Sequence, residues 1–322
     1  MKARGVLGPG AEFDRLRAIF AKLGEDARDL GDDCALVRLG QTTLAASVDA
    51  SLEGVHFRTD WLSFEEIGWR AAAGALSDLA ALGAKPIGVL VALGLPGDRG
   101  KGLGAGGDPA VAIMSGVAAA AKSVGAKVLG GDLVRSERYL VDVTVLGTVD
   151  RPVRRNGARP GDGVWVTGTL GGSGLALQQF RSGTPPNRAL RARFARPEPR
   201  IAAGRWLARR GARAMIDVSD GLAQDAGHLA AASGVVIEIE LERVPCWPGV
   251  AAGRAAASGE DFELLAALPS RFDQRAAKAF TRATSLPLTR IGHCVRGSAG
   301  VRVTRGGTLV STPPGFDHFA SP

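Results

Sequence analysis

The chain has 322 residues, 45% hydrophobic and 22% charged, which excludes wholesale disorder and supplies apolar material for one large core or two smaller ones. Forty Lys and Arg against 32 Asp and Glu leave a formal charge of +8, but the basic residues are spread along the chain and there is a single Tyr, so an aromatic and basic nucleic-acid face is not expected. No apolar run reaches the roughly 18 residues of a membrane helix, the start lacks a signal-peptide pattern, and Cys34, Cys246 and Cys294 form no CxxC, which together predict a cytoplasmic protein with reduced thiols and no membrane partner.

In chain order, β-branched and apolar runs predict strands at 43–49, 87–95, 139–149, 163–167, 235–241 and 263–268. Alanine-rich stretches with apolar positions three and four apart predict helices at 64–82, 109–124, 198–210 and 221–232. The fold class is therefore α+β, with α/β mixing. An Arg- and Pro-rich passage at 151–160, closed by Pro160-Gly161-Asp162, marks the boundary between domains 1–150 and 151–322. The glycine-rich passage 97–109 reads as a surface loop; without a GK[ST] ending it is a poor phosphate loop.

Aspartates recur beside glycine or serine: Gly31-Asp32-Asp33, Ser47-Val48-Asp49, Ser77-Asp78, Gly130-Gly131-Asp132 and Asp217-Val218-Ser219-Asp220-Gly221. Such carboxylates suit a hard cation that takes oxygen ligands, with glycine allowing close approach of a phosphate. Ser47 and Asp49 are two apart on a predicted strand, as are Asp217 and Ser219, which puts each pair on one face. Taken singly, Asp32, Asp78 and Asp220 are more commonly read as helix caps or turn residues. Gly168, Gly171, Gly172 and Gly174 follow a strand and precede a helical run, a pattern open to either a dinucleotide turn or close helix packing. His56 falls in a loop just downstream of Asp49, and Glu260 and Asp261 lead into a strand.

In this order and combination the chain resembles the thiamine-monophosphate kinase family of the AIR-synthase-like ATP-dependent superfamily. The carriers are Gly31-Asp32-Asp33-Cys34-Ala35, Ser47-Val48-Asp49 running into Glu53-Gly54-Val55-His56-Phe57, Ser77-Asp78-Leu79-Ala80-Ala81-Leu82-Gly83-Ala84 and Gly130-Gly131-Asp132. In the second half they are Arg155 before Pro160-Gly161-Asp162, Asp217-Val218-Ser219-Asp220-Gly221-Leu222, Gly259-Glu260-Asp261-Phe262 and Gly315-Phe316-Asp317-His318-Phe319. The resemblance implies a two-domain AIR-synthase-like fold whose N-terminal half contributes to a β-barrel shared in a homodimer. It implies transfer of the ATP γ-phosphoryl group to thiamine monophosphate, assisted by several Mg²⁺ ions and stimulated by K⁺.

Carried over by position, Asp33, Ser47, Val48 through its carbonyl, Asp49, Asp78, Asp132, Asp217 and Asp220 hold the metals, and Asp49, Asp78 and Asp132 are the catalytic set. Gly131, Asp132, Arg155 and Ser219 contact the nucleotide, while His56, Glu260 and Phe316 serve the thiamine-phosphate side. Val48, Leu133, Ser258 and Phe316 depart mildly from the family pattern, and Ile113-Met114 stands where an aromatic beside adenine is usual. The alternatives are a related enzyme acting on another small anion and a sensor of thiamine diphosphate or nucleotide that performs no turnover.

Overall fold

The computed structural model describes residues 7–8, 10–97, 107–312, 315–316 and 319; the body of the loop expected at 97–109, and Asp317-His318 of the terminal signature, lie outside them. Among the described residues the strands form two sheets. The first is built from β1 (Ala35–Leu39), β2 (Thr42–Leu52), β3 (Lys85–Pro96), β4 (Lys127–Ser136) and β5 (Leu140–Val149), in the order β1-β2-β5-β3-β4. Its pairs are antiparallel except β3 and β4, which run parallel because helix α3 (Pro109–Ser123) crosses over between them. Helix α1 (Ala11–Leu23) precedes the sheet, and α2 (Phe64–Leu82) joins β2 to β3.

The second half contains β6 (Gly163–Thr167), α4 (Gly172–Arg181), α5 (Arg188–Ala195), α6 (Ile201–Arg209), β7 (Ala214–Val218), α7 (Leu222–Ser233) and β8 (Val236–Glu240). It continues with α8 (Ala252–Ala257), β9 (Glu263–Leu268), α9 (Gln274–Thr284), β10 (Leu288–Val295), β11 (Gly300–Arg305) and β12 (Thr308–Leu309), and its sheet runs β12-β11-β8-β10-β6-β9-β7. No described helix is long and apolar enough to cross a membrane. Cys34 and Cys294 are buried and Cys246 half-buried, all as free thiols.

Helix α2 is the hinge of the architecture. Ser63 and Glu66 close a reciprocal capping box at its start, and Gly83 ends it in the left-handed region at φ 71°. Between them, WRAAAGALSDLAAL is small and apolar on nearly every side, so the helix is buried by the first sheet, by α3 and by α6 at once. The close fits need glycine: a Cβ on Gly68 would lie 1.9 Å from the Ile113 carbonyl oxygen, and one on Gly204 of α6 would lie 1.9 Å from that of Ala80. The larger core consequently crosses the junction, joining Leu76, Leu79 and Leu82 to Trp165, Leu207 and Phe280, whereas a second core stays within the C-terminal half. Ile113 belongs to this core rather than to any ligand surface.

Among the described residues the first sheet is covered on one face only. Val37, Leu39, Val48 and Leu90 stand exposed on the face turned away from α2.

Candidate functional site

Four elements converge where the halves meet. The loop before β1 carries Asp32 and Asp33, the inward row of β2 carries Ser47 and Asp49, α2 carries Asp78, and the end of β7 carries Asp217. Asp33, Asp78 and Asp217 bring carboxylate oxygens within 4.8 Å of one another. Asp78 lies inside the helix, so it is not a cap, and its Oδ2 accepts a hydrogen bond from the Ser47 hydroxyl at 2.5 Å. Gly74, one turn earlier on α2, leaves room for Asp49: a Cβ there would sit 3.0 Å from Asp49 Oδ2.

Arg155 lies just past the junction. Its Nη2 donates to Asp33 Oδ1 at 2.7 Å and its backbone N–H donates to Asp32 Oδ1 at 3.3 Å. The guanidinium thus bonds Asp33, and its charge also acts on Asp32 and Asp217. Burial, reinforced by the Asp33 charge, pushes Asp217 up to about 7 and Asp32 up to about 6. Asp78 is raised well above the carboxylate range by burial, then by Asp217 and Asp33. Asp33 Oδ2 is buried with no hydrogen-bond partner, and so is Arg155 Nε. An orphaned carboxylate oxygen in a set of pure oxygen donors fits a hard divalent cation, and an orphaned guanidinium N–H beside it fits a phosphate oxygen.

Asp225, absent from the sequence assignment, shapes the next part of the site. Its Oδ2 accepts the N–H groups of Ser219, Asp220 and Gly221 at 3.1, 3.2 and 3.0 Å, fixing the loop between β7 and α7. Asp217, Ser219 and Asp220 then line one cavity with Val48, Asp49 and Asp78, about 1190 Å³ in volume and walled by both halves. Gly131 and Asp132 are placed apart from it. Register puts Asp132 in a row with Ala92, Asp142 and Ala50 on the outward face, while Asp49 shares the inward row with Val143, Val91 and Gly131. Both residues are exposed on the edge strand β4.

The other end of the cavity holds His56, Glu260 and Phe316 together with Phe57, Trp61, Phe180 and Phe262. His56 Nδ1 accepts the Leu52 N–H at 3.0 Å, which leaves Nε2 as the protonated, donating nitrogen of the neutral ring. Glu260 and Phe262 have positive φ, 63° and 49°, so the chain turns Glu260 and Phe262 to the cavity and drives Asp261 into the interior. Glu260 is ion-paired to Arg70, a buried residue of α2 that also lies 3.9 Å over the Phe194 ring. Arg70 escaped sequence reasoning, although an arginine at a core-facing position of an alanine-rich helix was a legible signal.

The glycine turn after β6 resolves as packing. Asp261 accepts the N–H groups of Gly171 and Ser173 at 2.5 and 3.2 Å, and a Cβ on Gly168 would lie 2.2 Å from Glu263 Oε1. Internal carboxylates occupy the place a dinucleotide phosphate would need.

Comparison with known proteins agrees with this geometry. Residues 31–149 match the model of AIR synthase related protein, N-terminal domain, and residues 159–304 match that of the C-terminal domain. Fold and site therefore define a two-domain AIR-synthase-related protein. Curated thiamine-monophosphate kinases of Salmonella typhimurium (strain LT2) and Escherichia coli (strain K12) are 34% and 33% identical, each match covering 96% of both chains. Among solved structures, AaThiL complexed with AMPPCP and TMP superposes with TM-score 0.83 at 31% identity over 99% of both chains. Thiamine-monophosphate kinase from Stenotrophomonas maltophilia K279a gives 0.74 at 34%, covering 94% of this chain and 98% of the other. The chain belongs to the thiamine-monophosphate kinase family.

Proposed function

We propose that the protein phosphorylates thiamine monophosphate with ATP, giving thiamine diphosphate and ADP by direct in-line transfer. The observation that carries this reading is the cavity shared by both halves, lined by Asp78 and Asp217 of the acidic trio with Asp49 and Asp220, and also by an aromatic, His- and Glu-bearing surface. The solved relative holds AMPPCP, an ATP analogue, together with TMP, and that pairing supports two substrates in one cavity.

Asp33, Asp78 and Asp217, with Ser47, the Val48 carbonyl, Asp49 and Asp220 around them, are the proposed Mg²⁺ holders. Bound magnesium would supply the positive charge that offsets repulsion between the acceptor phosphate and the polyphosphate. The chain needs no general base, because the acceptor phosphate is largely dianionic at neutral pH, its second pKa lying near about 6. Asp49 and Asp78, both lining the cavity, hold the reacting groups in line. Arg155 and Ser219 orient the nucleotide phosphates, Arg155 through its free Nε. His56 donates from Nε2 to the acceptor phosphate, and Phe316 stacks on a ring of the acceptor. Glu260, its charge already met by Arg70, serves better as an oriented hydrogen-bond acceptor than as a counter-ion to the thiazolium.

Of the remaining nucleotide and metal assignments, Gly131 lies in the inward row of the edge strand β4 and Asp132 on the open face of the first sheet, where the exposed Val37, Leu39, Val48 and Leu90 favour a homodimer closed through that face. Division of labour between residues 1–150 and 151–322, a K⁺ stimulation and a cytoplasmic location complete the reading. The test is ADP formation with Mg²⁺ and ATP, comparing thiamine monophosphate, thiamine and no acceptor, with the product identified by mass. Thiamine diphosphate formed only from the monophosphate is expected. ATP turnover with a different acceptor would overturn the assignment.

A further inference from the structure

Gln224, in the first turn of α7, has no role in the reaction as described, yet it touches both the metal-bearing loop and the C-terminal tail. Its Nε2 donates to the Phe316 carbonyl oxygen at 2.7 Å and lies 3.5 Å from Asp220 Oδ2. The Phe316 N–H in turn donates to the Asp220 carbonyl oxygen at 2.9 Å. Both backbone polar groups of Phe316 are therefore held by the start of α7. Gly315 makes the approach feasible, since a Cβ there would fall 2.5 Å from the Asp220 oxygen and 2.7 Å from Gln224 Oε1. Asp220 is itself fixed from behind by Asp225. The chain of contacts runs from a buried carboxylate, through the loop that lines the acidic end, to the aromatic ring at the acceptor end.

We propose that Gln224 is a positioning residue for the acceptor: its side-chain amide clamps the tail so that Phe316 faces the cavity in register with the loop Asp217–Gly221. The proposal rests on the acceptor assignment given above. The Phe316 carbonyl accepts from the amide donor of Gln224, so the effect depends on hydrogen-bond chemistry and not on side-chain volume. A clamp of this kind acts on the binding of the acceptor. ATP binding and the transfer step at saturating acceptor are assigned to Asp33, Asp49, Asp78, Asp217 and Arg155, while Asp220, the one proposed metal holder near Gln224, is also held through its backbone by Asp225.

The experiment uses the full chain carrying Gln224→Met or Gln224→Leu, both close in volume, uncharged and unable to donate to a carbonyl. Each is expected to raise the KM for thiamine monophosphate up to about tenfold, the size of one lost hydrogen bond, with kcat and the KM for ATP within about twofold of the unaltered protein. In a Phe316→Ala background the same changes should add less than about twofold, because the ring they position is gone. Amide hydrogen exchange at Phe316 supplies a readout independent of the acceptor, and its protection should fall in both variants. An unchanged acceptor KM, an additive double variant or undiminished Phe316 protection would each overturn the proposal. Failure of the unaltered protein to use thiamine monophosphate would instead overturn the acceptor assignment, and the exchange measurement would still decide whether Gln224 holds the tail.

Discussion

In the C-terminal sheet, Asp261 and Glu263 are 0% and 1% exposed, and the chain meets their charge itself. Glu263 takes Arg193 at 2.9 Å, Arg200 at 2.7 and 3.0 Å and the Thr167 hydroxyl at 2.6 Å, while Asp261 caps the turn into α4. At the junction, Asp33, Asp78 and Asp217 are packed as closely, but Arg155 is their only guanidinium among the described residues and Asp33 Oδ2 has no partner. Both groups are buried acid clusters in the same protein. The difference teaches that burial alone does not mark a site; what marks it is a shortfall of partners that a ligand can make good.

Changing one acid in each cluster should break the comparison in opposite directions. Asp78→Asn is expected to lower turnover about a thousandfold, since it removes a charge that the phosphoryl transfer requires, yet to raise the metal-free melting temperature by relieving repulsion. Activity assays beside thermal melts in chelator would check both halves of that statement. Glu263→Gln should do the reverse. Leaving Arg193 and Arg200 against a neutral amide should cost about 3 kcal/mol in urea unfolding while the KM values of the surviving enzyme stay close to normal.

A gentler test varies pH. The raised Asp78 and Asp217 hold protons in the folded state at pH values where the unfolded chain has lost them, so metal-free stability declines as pH rises from about 4 through about 7. In the proposed function Mg²⁺ binds the deprotonated trio. Its stabilising effect in melts should therefore be several degrees at about pH 8 and small at about pH 5.5; equal gains at both would show that the trio does not take the metal. Smallest of all, His56→Ala is expected to raise the acceptor KM about fivefold through loss of one hydrogen bond, without moving the KM for ATP.

The elements with strong internal periodicity were legible before the structure. The helix 64–82 and the strands 163–167 and 263–268 match the observed bounds, because alanine-rich spacing and β-branched runs report local structure directly. Strand β4 was not foreseen, since KVLGGDLVRS has two glycines and sits exposed at a sheet edge, held by pairing with β3 rather than by its own propensity. Helix α9, QRAAKAFTRAT, was hidden by its polar face, with only Ala277 and Phe280 fully buried. At the site, the aspartates could be picked out because glycine and serine neighbours set them apart from surface acids. Arg70 stood out as an arginine within an alanine-rich helix, but its partner Glu260 lies 190 positions away, and Asp225 and Gln224 could not be placed because they act on backbone groups that no residue pattern encodes.

Because α2 lends its flanks to both halves, the molecule has an order of assembly as well as an architecture. During synthesis the N-terminal residues leave the ribosome first, with the side of α2 that receives α6 still bare: Ala80, against which Gly204 packs without room for a methyl group, has no cover until the chain near residue 210 has emerged. The passage 151–160 is thus a joint in the fold but a poor place to cut it. A fragment ending there would carry an open seam of alanine and leucine, and would be a client for chaperones rather than a working half-enzyme.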